Sequence, residues 1–316
     1  MKIVYLDQNK WINIARIYYG RDSSPDSQRA LSHIRDKIEQ GVAIFPLSSV
    51  HYIETAKNNN HEQRRRLGTV MWELSGGYTM ASSYHLICYE LETALAQRFQ
   101  NISPRALNLI STGYAHTFGK GDPYRLPEEF RSNFPVEVVK AREGVGQRML
   151  EKAFITGEGP GGIRMPPFGS TQYNERFKQH LETLHARVSH LPPEQWDDEL
   201  RAMALVDIEE PLNNVLELHG LSLQRDLMPL GKETVIAIVE DLPSRKVEVQ
   251  LHRQILKNPQ LRPRINDLED WSGLGPASAY CDVVVCEKHF ANLLLRDGFS
   301  PKAQILTNIK QLVQIL

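Results

Sequence analysis

Both ends of the chain alternate continuous apolar strands with helices, and this alternation limits the fold more than any other feature. "KIVYL" at residues 2–6 is a buried-strand run that stops at an acid. "KWINIARIYYG" follows with Trp11, Ile14, Ala15 and Tyr18 at helical spacing and closes at Gly20, and "ALSHIRDKIEQG" repeats the pattern. "VAIFPLSSVHYIETAK" reads as a strand ending near Pro46, then a helix capped by Ser48 or Ser49 and carrying Glu54. At the other end, "CDVVVCEKHFANLLLRDG" puts Val283 to Val285 in a strand, Glu287 after it, and a helix running towards Gly298. "AQILTNIKQLVQIL" adds a short strand and a terminal helix. Strands separated by helices need crossovers, so the expected class is α/β, with a parallel β-sheet flanked by helices.

Between these ends the pattern changes. "SYHLICYELETALAQRF", "VEVVKAREGVGQRMLEKAF", "NERFKQHLETLHARV" and "SRKVEVQLHRQILK" all space apolar residues three and four apart. The expected organisation is therefore one α/β domain built from residues 1–60 and 251–316, with 61–250 as a large α-helical insertion or subdomain. A length of 316 residues with 41% hydrophobic content suffices for one large core or two smaller ones.

Function enters through the acids. Ligands of open α/β sheets bind beyond the carboxyl ends of the strands, and this is where Asp7 ends the first strand and Glu287 follows "VVVC". Glu54 lies one or two helical turns beyond the second strand. In "INDLEDWSGLGPASAYCD", Asp267 and Asp270 are three apart and share a helix face. Clustered carboxylates repel unless a cation sits among them, and oxygen-only donors suit magnesium or manganese. Such an ion lowers the pKa of water and stabilises in-line displacement at phosphorus, which is nuclease chemistry.

These residues also resemble a known family. "YLDQNKWI" is similar to the opening motif of PIN domains, "SSVHYIETAK" to their second motif, and "DLEDWSGLGPASAYCDVVVCEKHF" to their closing pair. The resemblance covers about the first 60 and last 60 residues. It implies a divergent PIN-like metal-dependent endoribonuclease in which Asp7, Glu54, Asp270 and Glu287 take the catalytic acidic places around Mg2+ or Mn2+. Asp267 competes with Asp270 for the third place, and the spacing to Ala277 favours Asp270. Asn9 and Asp282 are candidates for the surrounding shell. The sequence departs from the family pattern at Glu287, where Asp is more frequent, at Val285, where Thr or Ser is, and in the long gap from Glu54 to Asp270.

A formal net charge of -1 excludes a global basic field, so any nucleic-acid surface has to be local. The candidates are Arg64, Arg65 and Arg66 in "HEQRRRLG", and Arg262 and Arg264 in "LRPRIN", whose forks suit phosphate; a solvated helix face is the competing reading of the first run. The resemblance implies an RNA substrate with DNA left open, a toxin or defence role, and a regulatory or antitoxin-like protein or a second copy as partner. The alternative is a catalytically inactive PIN-like module that binds RNA or protein, with Lys10 and Lys288 neutralising the acids. A phosphatase with an aspartyl nucleophile is disfavoured, because Asn9 stands where such enzymes carry a second Asp.

The glycine-rich "TGEGPGGIRMPPFGS" lacks GK[ST] and reads as a linker or lid, not a phosphate cradle. Cys88, Cys281 and Cys286 form no metal or disulfide framework and read as reduced thiols. With no apolar run near the roughly 18 residues that span a bilayer and no leader-like N-terminus, a soluble cytoplasmic protein is expected, without membrane attachment.

Overall fold

The computed structural model describes residues 1–119, 128–133, 135–167, 172–258 and 267–316. The chain opens with β1 (Lys2–Leu6), α1 (Gln8–Tyr18), α2 (Pro25–Glu39), β2 (Ala43–Ile44), α3 (Ser49–Ala56), α4 (His61–Ser75) and β3 (Tyr78–Met80). Then come α5 (Ser83–Ala96), β4 (Ile110–Thr112), α6 (Tyr114–Phe118), α7 (Glu128–Asn133) and α8 (Val136–Thr156). The remainder is helical through α9 (Gln172–Val188), α10 (Pro193–Val206), α11 (Glu209–Leu218), α12 (Lys232–Ala237), α13 (Pro243–Lys257) and α14 (Asp267–Tyr280). It closes with β5 (Val283–Val285), α15 (Lys288–Leu294), β6 (Gln304–Leu306) and α16 (Leu312–Ile315).

The fold is α/β, with a mostly parallel four-stranded sheet in the order β2-β1-β5-β6 and helices flanking it. β1 and β2 pair in parallel, Lys2 against Ala43 and Ile3 against Ile44. A continuous apolar run suits a strand covered on both faces, and Val4, Tyr5 and Leu6 are all buried, as are all three residues of β5. β2 is shorter than the apolar run around it, because the chain leaves the ladder before Pro46. β3 and β4 form a separate antiparallel ribbon, with Tyr78 opposite Thr112.

By contacts the chain divides into two compact units. The first comprises Met1–Ser82, Leu109–Gly169 and Leu306–Leu316; the second comprises Ser83–Asn108 and Ser170–Ile305.

In the first unit, α1 buries Trp11, Ile14 and Ile17 on one face, and α2 buries Ala30, Leu31 and Ile34. Ser48 and His51 form a reciprocal capping pair at the start of α3, and Asn60 caps α4 by accepting from the Gln63 amide at 3.0 Å. α4 lies directly on α8. At Gly68 the two backbones are so close that an added Cβ would stand 2.5 Å from the Ile155 carbonyl oxygen.

In the second unit, α13 packs on α10, α14 and α15 through residues including Val247, Leu251 and Ile255. Glu90 on α5 joins three helices: it accepts from the Ser244 amide at 2.9 Å, the Ser244 hydroxyl at 2.7 Å and the Tyr280 hydroxyl at 2.8 Å. Cys88, Cys281 and Cys286 are buried and in no disulfide, and burial pushes the Cys281 thiol up to about 12. No helix among the described residues is long and apolar enough to cross a membrane.

Candidate functional site

Asp7 is the residue at which β1 becomes α1. Its backbone is extended, at φ -58° and ψ 152°, and its carbonyl accepts the first helical amides, Lys10 N at 2.8 Å and Trp11 N at 3.2 Å. The side chain makes no capping hydrogen bond to the helix and is only 4% exposed. Asn9, in the first turn of α1, is exposed. The Lys10 ammonium donates to the Thr307 carbonyl at 3.0 Å.

Two hydrogen bonds fasten α3 across this strand end. His51 Nε2 donates to the carbonyl of Leu6 at 2.7 Å, and Gln8 Nε2 donates to Thr55 Oγ1 at 2.9 Å. These bonds engage the residues on either side of Asp7 and the one after Glu54, so the elements bearing the two acids meet there. Glu54 itself is half-buried. The His51 ring also accepts from the Ser48 amide through Nδ1 at 2.9 Å, which leaves its proton on Nε2. Burial pushes this imidazole down to about 4, so it is neutral and serves as a fixed strut between strand and helix.

In the second unit, Asp270 lies in the first turn of α14 and is half-buried. Asp267 is the first residue of that helix. Glu287, two residues beyond β5, is the half-buried residue that opens α15, and its carbonyl accepts Ala291 N at 3.0 Å. The Asp282 carbonyl accepts the Gln304 amide at 2.9 Å.

Sequence reading missed buried acids here, Glu90, Glu92 and Glu269 among them. Glu269, next to Asp270, is 6% exposed and accepts from Asn174 Nδ2 at 2.5 Å. Glu90 is 1% exposed, and burial raises its pKa against the opposing effect of its three hydrogen bonds. The signal for Glu90 was an acid inside the apolar helical run "ICYELETAL".

The three arginines of α4 have separate fates. Arg64 is 1% exposed, and its guanidinium donates to the carbonyls of Phe154 at 2.6 Å, Pro166 at 3.1 Å and Met165 at 3.4 Å. It packs so closely on Gly157 that a Cβ there would stand 2.8 Å from Arg64 Cδ, and Gly157 holds φ +72°. The part of the glycine-rich stretch at residues 156–167 is thus a turn folded around an arginine, further closed by Gly159 N on the Ile163 carbonyl at 2.8 Å. Arg65 and Arg66 both pair with Glu62, at 3.0 and 2.6 Å, and hold that carboxyl down at about 2. Arg262 and Arg264 lie outside the described residues.

Among the described residues, no group of three or more His, Cys, Asp or Glu side chains is placed to hold a metal ion. The donors that Asp7 and Glu54 offer are carboxylate oxygens, the type that magnesium and manganese take. No protein-family profile, curated protein or solved structure matches the chain.

Proposed function

We propose that this protein is a PIN-like, metal-dependent endoribonuclease whose centre is built around the carboxyl end of β1. The observation that supports this most directly is the pair of bonds from His51 to Leu6 and from Gln8 to Thr55, which bring the Asp7 and Glu54 elements to one strand end. The reading assigns the other acidic places to Asp270 and Glu287 on the order of the sequence motifs.

Asp7 and Glu54 would hold Mg2+ or Mn2+. When bound, such an ion supplies Lewis acidity towards water and phosphate oxygens. The chain's own part is positional. Asp7 is held at a buried strand end, so little side-chain freedom is lost on binding. Glu54 is carried on a helix that cannot slide, because His51 and Thr55 are both engaged. Asn9 presents an amide at the exposed N-terminal turn of α1, suited to a phosphate or water contact. A toxin or defence role, with a regulatory protein or a second copy as partner, belongs to the same proposal.

The test is cleavage of labelled single-stranded RNA and DNA by wild type and Asp7→Asn, with manganese, magnesium or EDTA. Metal-dependent RNA cleavage lost in the variant is the expected result. Equal cleavage by both proteins overturns the role of Asp7. Metal-independent RNA binding with no cleavage by either protein favours a binding module.

A further inference from the structure

The first unit carries a concavity between α1 and α4 whose lining includes neither Asp7 nor Glu54. It is a cleft of about 180 Å³ whose lining includes Arg16, Arg21, Tyr19, Asn58, Gln63 and Arg66. Ile12, Ala15 and Leu67 form its apolar wall. No aspartate or glutamate lines it.

Charge is the unusual feature of this cleft. Arg66 is already compensated by Glu62 at 2.6 Å, and its guanidinium stacks 5.2 Å from the centroid of the Tyr19 ring. Arg16 and Arg21 are exposed, and their side chains make no hydrogen bond or ion pair among the described residues. Two uncompensated guanidiniums on one concave wall favour an anion, and the planar fork of arginine matches phosphate oxygens two at a time. Beside these cations lie an aliphatic wall and a tyrosine ring, surfaces against which a flat ring packs. The Asn58 and Gln63 amides add donors and acceptors able to read the edge of such a ring.

We infer that this cleft binds a nucleotide, with the phosphate on Arg16 and Arg21 and the base against Ile12, Ala15 and Leu67. The nucleotide is either free or one unit of a single-stranded RNA. In the second case the cleft is a substrate subsite, and that form of the inference rests on the nuclease reading.

The experiment uses the full chain in EDTA, so that no metal-dependent step enters. Wild type, Asp7→Asn and Arg16→Ala/Arg21→Ala are titrated with uridine and adenosine monophosphate by calorimetry, and with a fluorescein-labelled oligoribonucleotide by anisotropy. Circular dichroism melting confirms folding, and Arg16→Gln/Arg21→Gln replaces the alanine pair if that pair melts early. The arginine double variant is expected to bind at least about tenfold more weakly, and Asp7→Asn to bind as wild type does. For the oligoribonucleotide, the slope of log affinity against log salt should fall by about 1.4 in the double variant, since two phosphate contacts are lost. Weakened binding of the mononucleotides alone identifies a free nucleotide as the ligand; weakened oligoribonucleotide binding identifies a strand subsite. Wild type that binds neither probe at millimolar concentration, or a double variant that binds both as wild type does, overturns the inference. Absence of metal-dependent cleavage by the wild type, with this binding intact, would overturn only the nuclease reading.

Discussion

His51 Nε2 stands 2.7 Å from the carbonyl oxygen of Leu6, so the helix that carries Glu54 is fastened to the last residue of the strand that precedes Asp7. A buried backbone carbonyl needs a donor. A neutral histidine supplies it. The same ring takes the Ser48 amide on its other nitrogen, so one side chain both caps α3 and docks it.

The imidazole makes acid stability measurable at this joint. Burial lowers the folded-state pKa of His51 to about 4, below its ordinary unfolded value of 6.5, so the unfolded chain binds the extra proton between the two. The stabilisation is therefore complete above pH 6.5 and declines as pH falls towards 4. By pH 5 the loss should be about 2 kcal/mol. Urea unfolding at pH 7.5 and pH 5 for wild type and His51→Gln checks this, since glutamine can still donate to Leu6 but does not titrate. An equal pH dependence in both proteins would remove His51 from the account.

Asp7 and Glu54 should behave as one unit in cleavage. Asp7→Asn and Glu54→Gln are each expected to lower RNA cleavage roughly a hundredfold or more, with the double variant little worse than either. Steady-state rates in manganese, with urea midpoints in parallel, provide the check. Additive losses would mean the two carboxylates act separately.

Arg64 and its neighbours should separate cleanly in stability. Removing Arg64 leaves three carbonyls without their donor and a void in the packing, so Arg64→Ala should cost about 3 kcal/mol. Arg65→Ala removes exposed pairs with Glu62 and Glu158, and Arg66→Ala an exposed pair with Glu62 and the stacking on Tyr19, so each should cost about 1 kcal/mol or less. Chemical denaturation of the three single variants decides the matter. A stable Arg64→Ala would mean that the turn after α8 needs no internal donor.

Gly68→Ala tests the contact between α4 and α8. Alanine would ordinarily gain up to about 1 kcal/mol in a helix, but here its Cβ meets the Ile155 carbonyl, which is backbone and cannot swing away. A net loss of about 2 kcal/mol and a lowered Tm are expected. A raised Tm would show that the helices can separate without penalty.

Local chemistry made much of this architecture legible. The apolar runs "KIVYL" and "VVV" are strands, the periodic segments of the middle are α5, α8, α9 and α13, and Asp7 stands at a strand end, because each of these follows from neighbours within one or two turns. Sequence could not tell Arg64 from Arg65 and Arg66, three identical side chains in a row. Successive helical residues point about 100° apart, and only the carbonyls in the last turn of α8 and beyond it decide which of the three is buried. The same holds for Glu269 and Asp270, adjacent acids of which the first is buried against Asn174 from 95 residues away. The sheet order β2-β1-β5-β6 likewise joins strands far apart in the chain. Periodicity encodes which face of an element is apolar. What that face meets, and which polar group is drawn in with it, is set by contacts between residues that the sequence does not place side by side.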